Sequence, residues 1–227
     1  MDTKIKLLNT IVFAICFFAG CNNEPKSTTS KDTASPIMVN TKYDTTEKNL
    51  NGYNMKSSDS ILFAMNKMIN RIGGMKISGD VDVDFANRMI EHHKGAIDMC
   101  LQEIKSGTDA GIKSIAKEII RNQMDEQSTL GNFAKDAAVE EKNMGKEGYA
   151  SIDLAEMNGI MNSVKLSGNI DKDFVILMIS HHESEIKIAK NELSSGIHNK
   201  LKEIANKIVS DQTREIVSLT NWLSITK

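Results

Sequence analysis

Apolar residues recur every three or four positions along most of the chain after about residue 59, and no stretch alternates apolar and polar residues as a half-buried strand does. One segment has this spacing at Ile112, Ala116, Ile119, Leu130 and Phe133. A later segment repeats it at Leu201, Ala205, Ile208, Leu219 and Trp222. Such spacing puts the apolar side chains on one face of an α-helix. The pattern therefore predicts an all-α domain.

An internal repeat organises these helices. Residues 62–133 align without a gap on residues 151–222, at a constant offset of 89. "MKISGDVDVDFANRMIEHH" lies over "VKLSGNIDKDFVILMISHH", and "SIAKEIIRNQMDEQSTLGNF" over "EIANKIVSDQTREIVSLTNW". A gapless match of this length indicates duplication of one helical unit. Each unit predicts a short helix, near 60–72 or 152–165, followed by a long hairpin, and two hairpins make an antiparallel four-helix bundle.

Capping signals predict where the long helices begin and end. Asp82 or Asp84 is a candidate N-cap for a helix that ends at Gly107, and Thr108 or Asp109 is the candidate for the next helix. The second unit repeats the signals at Asp171 or Asp173 and at Ser195–Gly196. Short connections at these turns force each pair of long helices to lie antiparallel.

The first 21 residues predict an export signal. Lys4 and Lys6 precede the apolar run "IVFAICFFAG", which is too short to span a membrane. Residues 18–21, Phe-Ala-Gly-Cys, resemble the lipobox of bacterial lipoproteins, in which small residues precede a cysteine that is acylated. We therefore predict a lipoprotein signal over 1–21 with Cys21 as the acylated residue. A plain secretory signal or an uncleaved anchor is the alternative.

A change of composition separates a tether from a folded domain. Residues 22–58 are rich in Ser, Thr, Lys, Asn and Asp and contain both prolines, which predicts a disordered tether. Residues 59–227 then form one helical domain, a size that buries about 70 % of its unfolded surface without disulfides. The anchor and tether predict a domain in the cell envelope that faces the periplasm or exterior. The net charge of -2 gives no case for nucleic-acid binding.

Polar residues interrupt the apolar face of the last helix in each unit. The three-and-four spacing continues onto Gln123 and Glu126 in the first unit, and onto Gln212 and Glu215 in the second. Carboxylates at core positions are costly unless they are paired or bind a metal.

The paired histidines fall on the preceding helix of each unit. At 100° per residue, His93 and His182 point into the apolar arc, whereas His92 and His181 lie at its edge. From the edge, His92 can reach a second metal, the neighbouring hairpin or only water. Distances from the hairpin turn put Met89, His93, Gln123 and Glu126 at one level. The second unit has a copy of this layer in Met178, His182, Gln212 and Glu215.

Three interpretations of these layers differ in chemistry. The layer can be structural, with His93 bonded to Glu126, and then it only sets the helix register. It can bind metal, since Met-x-x-His-His combines thioether with imidazole, a soft set that suits Cu(I). The Glu-x-x-His spacing of di-iron bundles does not occur, which disfavours an oxidase. Most of the thirteen methionines are expected to be core packing, and Cys100 a small buried hydrophobe.

The residues around the histidines also resemble a known family. Phe, then Met-Ile-x-His-His, Gln-x-x-Glu and a closing Trp-Leu look like the bacterial domain of unknown function 305 family, over about residues 62–223. The first unit departs from the pattern by ending in Asn132-Phe133, and Ile188 and Glu185 stand where a methionine and an alanine are usual. The resemblance implies a ferritin-like bundle, often exported, without established catalysis, with some members linked to copper. The positions that match are Met89, His92, His93, Met99, Glu126, Met178, His181, His182 and Glu215.

We therefore expect an exported, lipid-anchored, ferritin-like four-helix bundle that is not an enzyme. It is expected to bind metal, with copper as the expected ion, through its Met/His-rich sites for sequestration or transfer. Its expected partners are a membrane, reached through the anchor, and the metal ion. The alternative is a structural or partner-binding envelope lipoprotein whose buried His/Gln/Glu layer only fixes packing.

Overall fold

The computed structural model describes residues 57–137 and 149–226, and within these ranges it contains six α-helices and no strand. The helices are α1 Ser57–Gly73, α2 Val81–Ser106, α3 Ala110–Ala137, α4 Tyr149–Ser163, α5 Ile170–Ser195 and α6 Asn199–Ile225. The all-α prediction is confirmed, and the two short helices lie within three residues of their predicted ends. The predicted signal over 1–21, with Cys21, and most of the predicted tether lie outside the described residues. No helix in the described part of the chain is long and apolar enough to cross a membrane.

The four long helices form the predicted bundle. The α2–α3 and α5–α6 hairpins pack against each other through α2 with α5 and through α3 with α6. The two short helices, α1 and α4, contact each other and cover α2 and α5. Consequently α2 and α5 are each covered on three sides, by the partner helix of their own hairpin, by each other and by the short helices.

The first long helix is capped two residues before Asp82 and four before Asp84, the two predicted caps. Asp80 is the N-cap of α2, in an extended conformation from which its carboxylate accepts a hydrogen bond from the Val83 amide at 3.1 Å. The prediction of Asp82 or Asp84 as the cap is wrong. Asp84 lies in the first turn, and its carboxylate accepts from the amide of Ser78 at 2.7 Å. It thereby fixes the loop that enters the helix.

The second long hairpin starts in the same way. Asn169 caps α5, so the prediction of Asp171 or Asp173 is also wrong. Gly79 and Gly168 both have φ of 84°, a left-handed conformation that favours glycine and folds the entering loop back onto the helix. Asp173 accepts from the Gly168 amide at 3.0 Å, as its counterpart does in the first repeat.

The turns within the hairpins follow the prediction. Gly107 and Gly196 are the C-caps of α2 and α5. Asp109, one of the two predicted caps of α3, accepts from the Ile112 amide at 2.9 Å. These short turns bring the long helices of each repeat side by side.

Two hydrophobic clusters fill the two halves of the bundle. The first contains Met99, Cys100, Ile119, Phe174 and Met178, together with most of α1. The second contains Phe85, Met89, Leu130, Ile188 and Leu201. Each long helix contributes to both clusters, and the histidines, Gln123 and Gln212 lie between the two contributions along their helices. Burial raises the pKa of the Cys100 thiol well above its usual range, in agreement with its predicted role in packing.

Two helical glycines, Gly95 and Gly131, differ in the space around them, so alanine is expected to have opposite effects on stability at the two positions. A Cβ at Gly95 would lie 2.4 Å from Met68 Sδ and 2.8 Å from Met68 Cβ, whereas one at Gly131 would meet nothing within 4 Å. We expect Gly95→Ala to lower the free energy of unfolding by about 1–3 kcal/mol, because it overpacks the contact between α1 and α2. Gly131→Ala should raise it by about 0.5–1 kcal/mol, since alanine stiffens an open helical position. Urea unfolding of both variants checks this, and equal effects would contradict it.

Candidate metal site

The two histidine pairs meet where α2 and α5 pack against each other. His92, His93, His181 and His182 are all 0 % exposed. His92 and His181, predicted at the edge of the apolar arc, are therefore as buried as the central pair, and His92 reaches the neighbouring hairpin, one of the three predicted alternatives. Their rings lie next to each other across the α2–α5 contact, with centroids 5.3 Å apart. The α2–α5 contact buries a second face of each helix, and the spacing of apolar residues within one hairpin does not reveal that face.

Glu185 is the centre of the polar layer. Its carboxylate is fully buried and lies 2.9 Å from Nδ1 of His93 and 3.1 Å from Nδ1 of His182. It also accepts hydrogen bonds from the side-chain amides of Gln212 at 2.6 Å and Gln123 at 3.2 Å. Burial by itself would raise the pKa of Glu185, but the neighbouring histidine rings hold it well below the usual range of a glutamate. One carboxylate therefore joins both predicted layers into one.

Each central histidine also faces a second carboxylate. Nε2 of His93 lies 3.1 Å from Glu126, and Nε2 of His182 lies 2.8 Å from Glu215. Burial would lower the pKa of each ring, but these carboxylates and Glu185 raise both values to about 9. His93 and His182 are therefore imidazolium at neutral pH, and their nitrogens carry protons.

Residues nearer the surface complete the layer on the α3–α6 side. Lys207 Nζ lies 2.7 Å from the buried carboxylate of Glu126, and the amide of Asn122 donates to Glu215 at 2.9 Å. Gln123 and Gln212 are buried as predicted, and Glu126 is 5 % exposed. The Lys207 ammonium and the two imidazolium rings thus face three carboxyl groups, which balances the charge of the layer.

His181 differs from the two central histidines. Within the described residues its Nδ1 makes no hydrogen bond, although the ring is fully buried. Burial lowers the pKa of His181 more than the nearby Glu185 raises it, so the ring is neutral and keeps a lone pair. Its Nε2 lies 3.4 Å from the Glu185 carboxylate. One ligand atom each from His92, His181 and Glu185 lie within 4.8 Å of one another, and all three residues are buried.

Glu185 is the central residue that the sequence patterns do not assign. It occupies the position of Ala96 in the first repeat, so the duplication offers no counterpart to compare it with. Its place within the apolar arc of α5 was the available signal, because a lone carboxylate there requires partners. The two repeats consequently contribute unequally, with one histidine from α2 and a histidine and a carboxylate from α5.

The predicted thioethers occupy hydrophobic surroundings. Met89 belongs to the second hydrophobic cluster, with Phe85 and Leu130. Met99 and Met178 belong to the first cluster. The structure thus brings together the predicted histidines, Gln123, Gln212 and the glutamates, and it buries the predicted methionines in the clusters on either side.

Comparison with known proteins agrees with this architecture. No curated protein matches the chain. A solved structure described as a DUF305 fragment from Deinococcus radiodurans aligns with a TM-score of 0.50 and 20 % identity, over 64 % of this chain and 97 % of that one, which shows a shared fold. The sequence profile of the family described as "Domain of unknown function (DUF305)" matches two overlapping segments, residues 26–134 and 82–223. The chain therefore belongs to the DUF305 family.

Proposed function

We propose that this protein binds one transition-metal ion between its two repeats, through His92, His181 and Glu185. The observation that carries the proposal is the convergence of one ligand atom from each residue within 4.8 Å in a buried site. Two imidazoles and a carboxylate are an ordinary ligand set for such ions. Because the ligands come from α2 and α5, the ion would tie the repeats together.

The protonation of the histidines supports this choice of ligands. A metal needs an imidazole lone pair, and His181 keeps one because its pKa is lowered. A fully buried ring whose Nδ1 lacks a hydrogen bond is costly, and coordination would relieve that cost. His93, the inner ligand expected from helix geometry, instead has both nitrogens bonded to carboxylates.

The ligand set also bears on which ion is bound. Nitrogen and carboxylate ligands suit divalent ions, whereas the thioethers expected for Cu(I) lie in the hydrophobic clusters. Affinity for such a set rises along the first-row metals to a maximum at divalent copper. Copper in its divalent form is therefore the proposed ion, with zinc as the main competitor.

The proposed setting follows from the N-terminal pattern. A lipoprotein signal over residues 1–21 with acylated Cys21 would export the chain and anchor it to a membrane. There, a buried site without a catalytic step would sequester copper or pass it on. The support for this part is the basic and apolar order of residues 1–21 and their ending in Phe-Ala-Gly-Cys.

Metal binding is tested by matched histidine variants. We expect the full chain, purified without a tag, to retain one Cu²⁺ ion after equilibrium dialysis and elemental analysis. His181→Ala should reduce the bound copper at least tenfold, because one of three ligands is lost. His198→Ala is the control, since this exposed histidine lies outside the layer. At a free metal concentration of 100 times the Kd, wild type should gain about 2.7 kcal/mol in stability. Equal copper in wild type and His181→Ala would refute the site.

A structural role is the second candidate, and one observation favours it. His93 and His182 are held between carboxylates on both sides, so most of the layer is satisfied by protein groups alone. Buried polar networks of this kind can specify a single packing. If the layer is only structural, chelators and added metals will leave the melting temperature unchanged.

A further inference from the structure

The turn of each long hairpin is held by an aspartate from the opposite repeat. Asp171, in the first turn of α5, accepts from the Thr108 amide at 2.8 Å, the Thr108 hydroxyl at 2.6 Å and the Asp109 amide at 2.9 Å. Asp82, in the first turn of α2, accepts from the His198 amide at 2.9 Å in the other turn. These contacts fix α2 against α5 at both ends of the bundle.

A buried glutamate lies beneath each aspartate. Glu103 and Glu192, in the last turns of α2 and α5, are 0 % exposed. Among the described residues, no N–H group donates to either carboxyl group. Each group lies instead against an aspartate carboxyl, Glu103 against Asp171 and Glu192 against Asp82. The aspartates accept hydrogen bonds from the turns, whereas the glutamates have no N–H donor, so the contact between the two carboxyl groups of each pair needs a proton between them.

The backbone makes room for these carboxyl groups. A Cβ at Gly107 would lie 2.0 Å from Glu103 Oε1, and one at Gly196 would lie 2.1 Å from Glu192 Oε1. Any other residue at these turns would displace the glutamate. The same arrangement at both ends of the bundle therefore depends on matching glycines in the two repeats.

The charged groups around Glu103 favour its protonated form. Burial contributes most, and Asp171 on α5 and Asp109 at the start of α3 act in the same direction. Lys113 on α3 opposes them. The outcome is a Glu103 pKa of about 8.

Glu192 has equivalent surroundings. Burial again contributes most, and Asp82 and Asp80 at the start of α2 act in the same direction. Lys202 on α6 opposes them, and the Glu192 pKa is about 8. Both carboxyl groups therefore hold their proton at neutral pH.

We propose that the Glu103–Asp171 and Glu192–Asp82 pairs are proton-dependent clasps that hold each hairpin turn on the opposite repeat and loosen when the proton leaves. Loss of the proton to solvent puts two carboxylates in contact in a buried place, and their repulsion is relieved when the turn lifts away. This device needs no metal, so it stands independently of the proposed function.

The direction and size of the effect follow from linkage. A clasp that opens exposes its glutamate, whose pKa then returns to about 4.3. Between that value and the closed-state pKa, opening releases a proton, and the opening constant rises up to about tenfold per pH unit. The clasp is thus tightest below pH 4.3 and loosens up to pH 8, above which little changes. From pH 6 to pH 8 the expected increase in opening is roughly fiftyfold.

Amide hydrogen exchange measures the opening directly. In the full chain, protection factors of the Thr108, Asp109 and His198 amides should fall roughly fiftyfold from pH 6 to pH 8. In Glu103→Gln/Glu192→Gln, whose side-chain amides donate at every pH, they should change less than threefold. Glu118→Gln is the control, because this glutamate is exposed on α3, and it should behave as wild type.

A pH titration of the glutamate carboxyl groups in wild type tests the proposal even if the double variant does not fold. In protein labelled with ¹³C at glutamate carboxyl carbons, two resonances should titrate near pH 8 and be absent from the double variant. If every glutamate resonance titrates below pH 6, or the turn amides keep equal protection from pH 6 to pH 8, the clasps do not exist.

Discussion

Replacing Glu185 with alanine is expected to lower the free energy of unfolding by about 3–5 kcal/mol in metal-free protein. The change removes the carboxylate that both central imidazolium rings share. His93 and His182 would each keep only one carboxylate partner, in a place closed to water. The donating amides of Gln123 and Gln212 would also lose their acceptor. Leaving a buried polar group without a partner lowers stability far more than breaking an exposed ion pair on the surface does.

Two matched variants make this measurement specific. Glu183→Ala removes an exposed glutamate from the same helix and should change stability by less than about 0.5 kcal/mol. Glu185→Gln keeps the shape of the side chain but removes its charge. Its loss in free energy of unfolding should therefore fall between those of Glu185→Ala and Glu183→Ala. Urea unfolding in the presence of a chelator gives all three values. A loss for Glu185→Ala as small as that for Glu183→Ala would mean that the layer does not depend on this carboxylate.

The fold could be predicted from the sequence because its signals are local and occur twice. Apolar spacing within each helix and short turns at Gly107 and Gly196 determine two hairpins, and the duplication makes an accidental pattern improbable. The helix starts were harder, since Asp80, Asp82 and Asp84 are all suitable capping residues. In the structure the left-handed Gly79 lets the entering loop fold back onto the helix, where Asp80 caps it and Asp84 holds the loop.

The site depends on contacts between repeats, which periodicity within one helix cannot show. Gln123 and Glu126 were correctly placed in the core because they continue the apolar seam of their own helix. For His92 three surroundings stayed open, and only the α2–α5 contact, which buries a second face of the helix, shows that it meets the neighbouring hairpin. Glu185 was unassigned because three of its partners, His93, Gln123 and Gln212, lie on three other helices. A site built across a duplicated interface is therefore visible only after the repeats are packed together.

The Glu103–Asp171 and Glu192–Asp82 contacts between the repeats predict an unusual dependence of stability on pH. The Glu103→Gln/Glu192→Gln variant should become more stable than wild type as the pH rises from 5 to 8. Both glutamates have folded-state pKa values of about 8, above the unfolded value, so the stability they contribute is complete at low pH and is lost as the pH rises through 8. Each carboxyl group changes the free energy of unfolding by at most about 1.4 kcal/mol per pH unit, and glutamine by none.

Urea unfolding of both proteins at pH 5, 6, 7 and 8 measures this difference. The raised pKa values of His93 and His182 also make stability fall as the pH rises towards 9, but they act equally on both proteins and cancel. Glu118→Gln should parallel wild type at every pH. A difference between double variant and wild type that stays constant with pH would show that the carboxyl groups are already ionised at pH 5. If the stability of the double variant relative to wild type grows with pH, glutamine is the more stable residue at both positions near pH 8. The loss of stability that the native glutamates then cause is the cost expected of a proton-dependent contact.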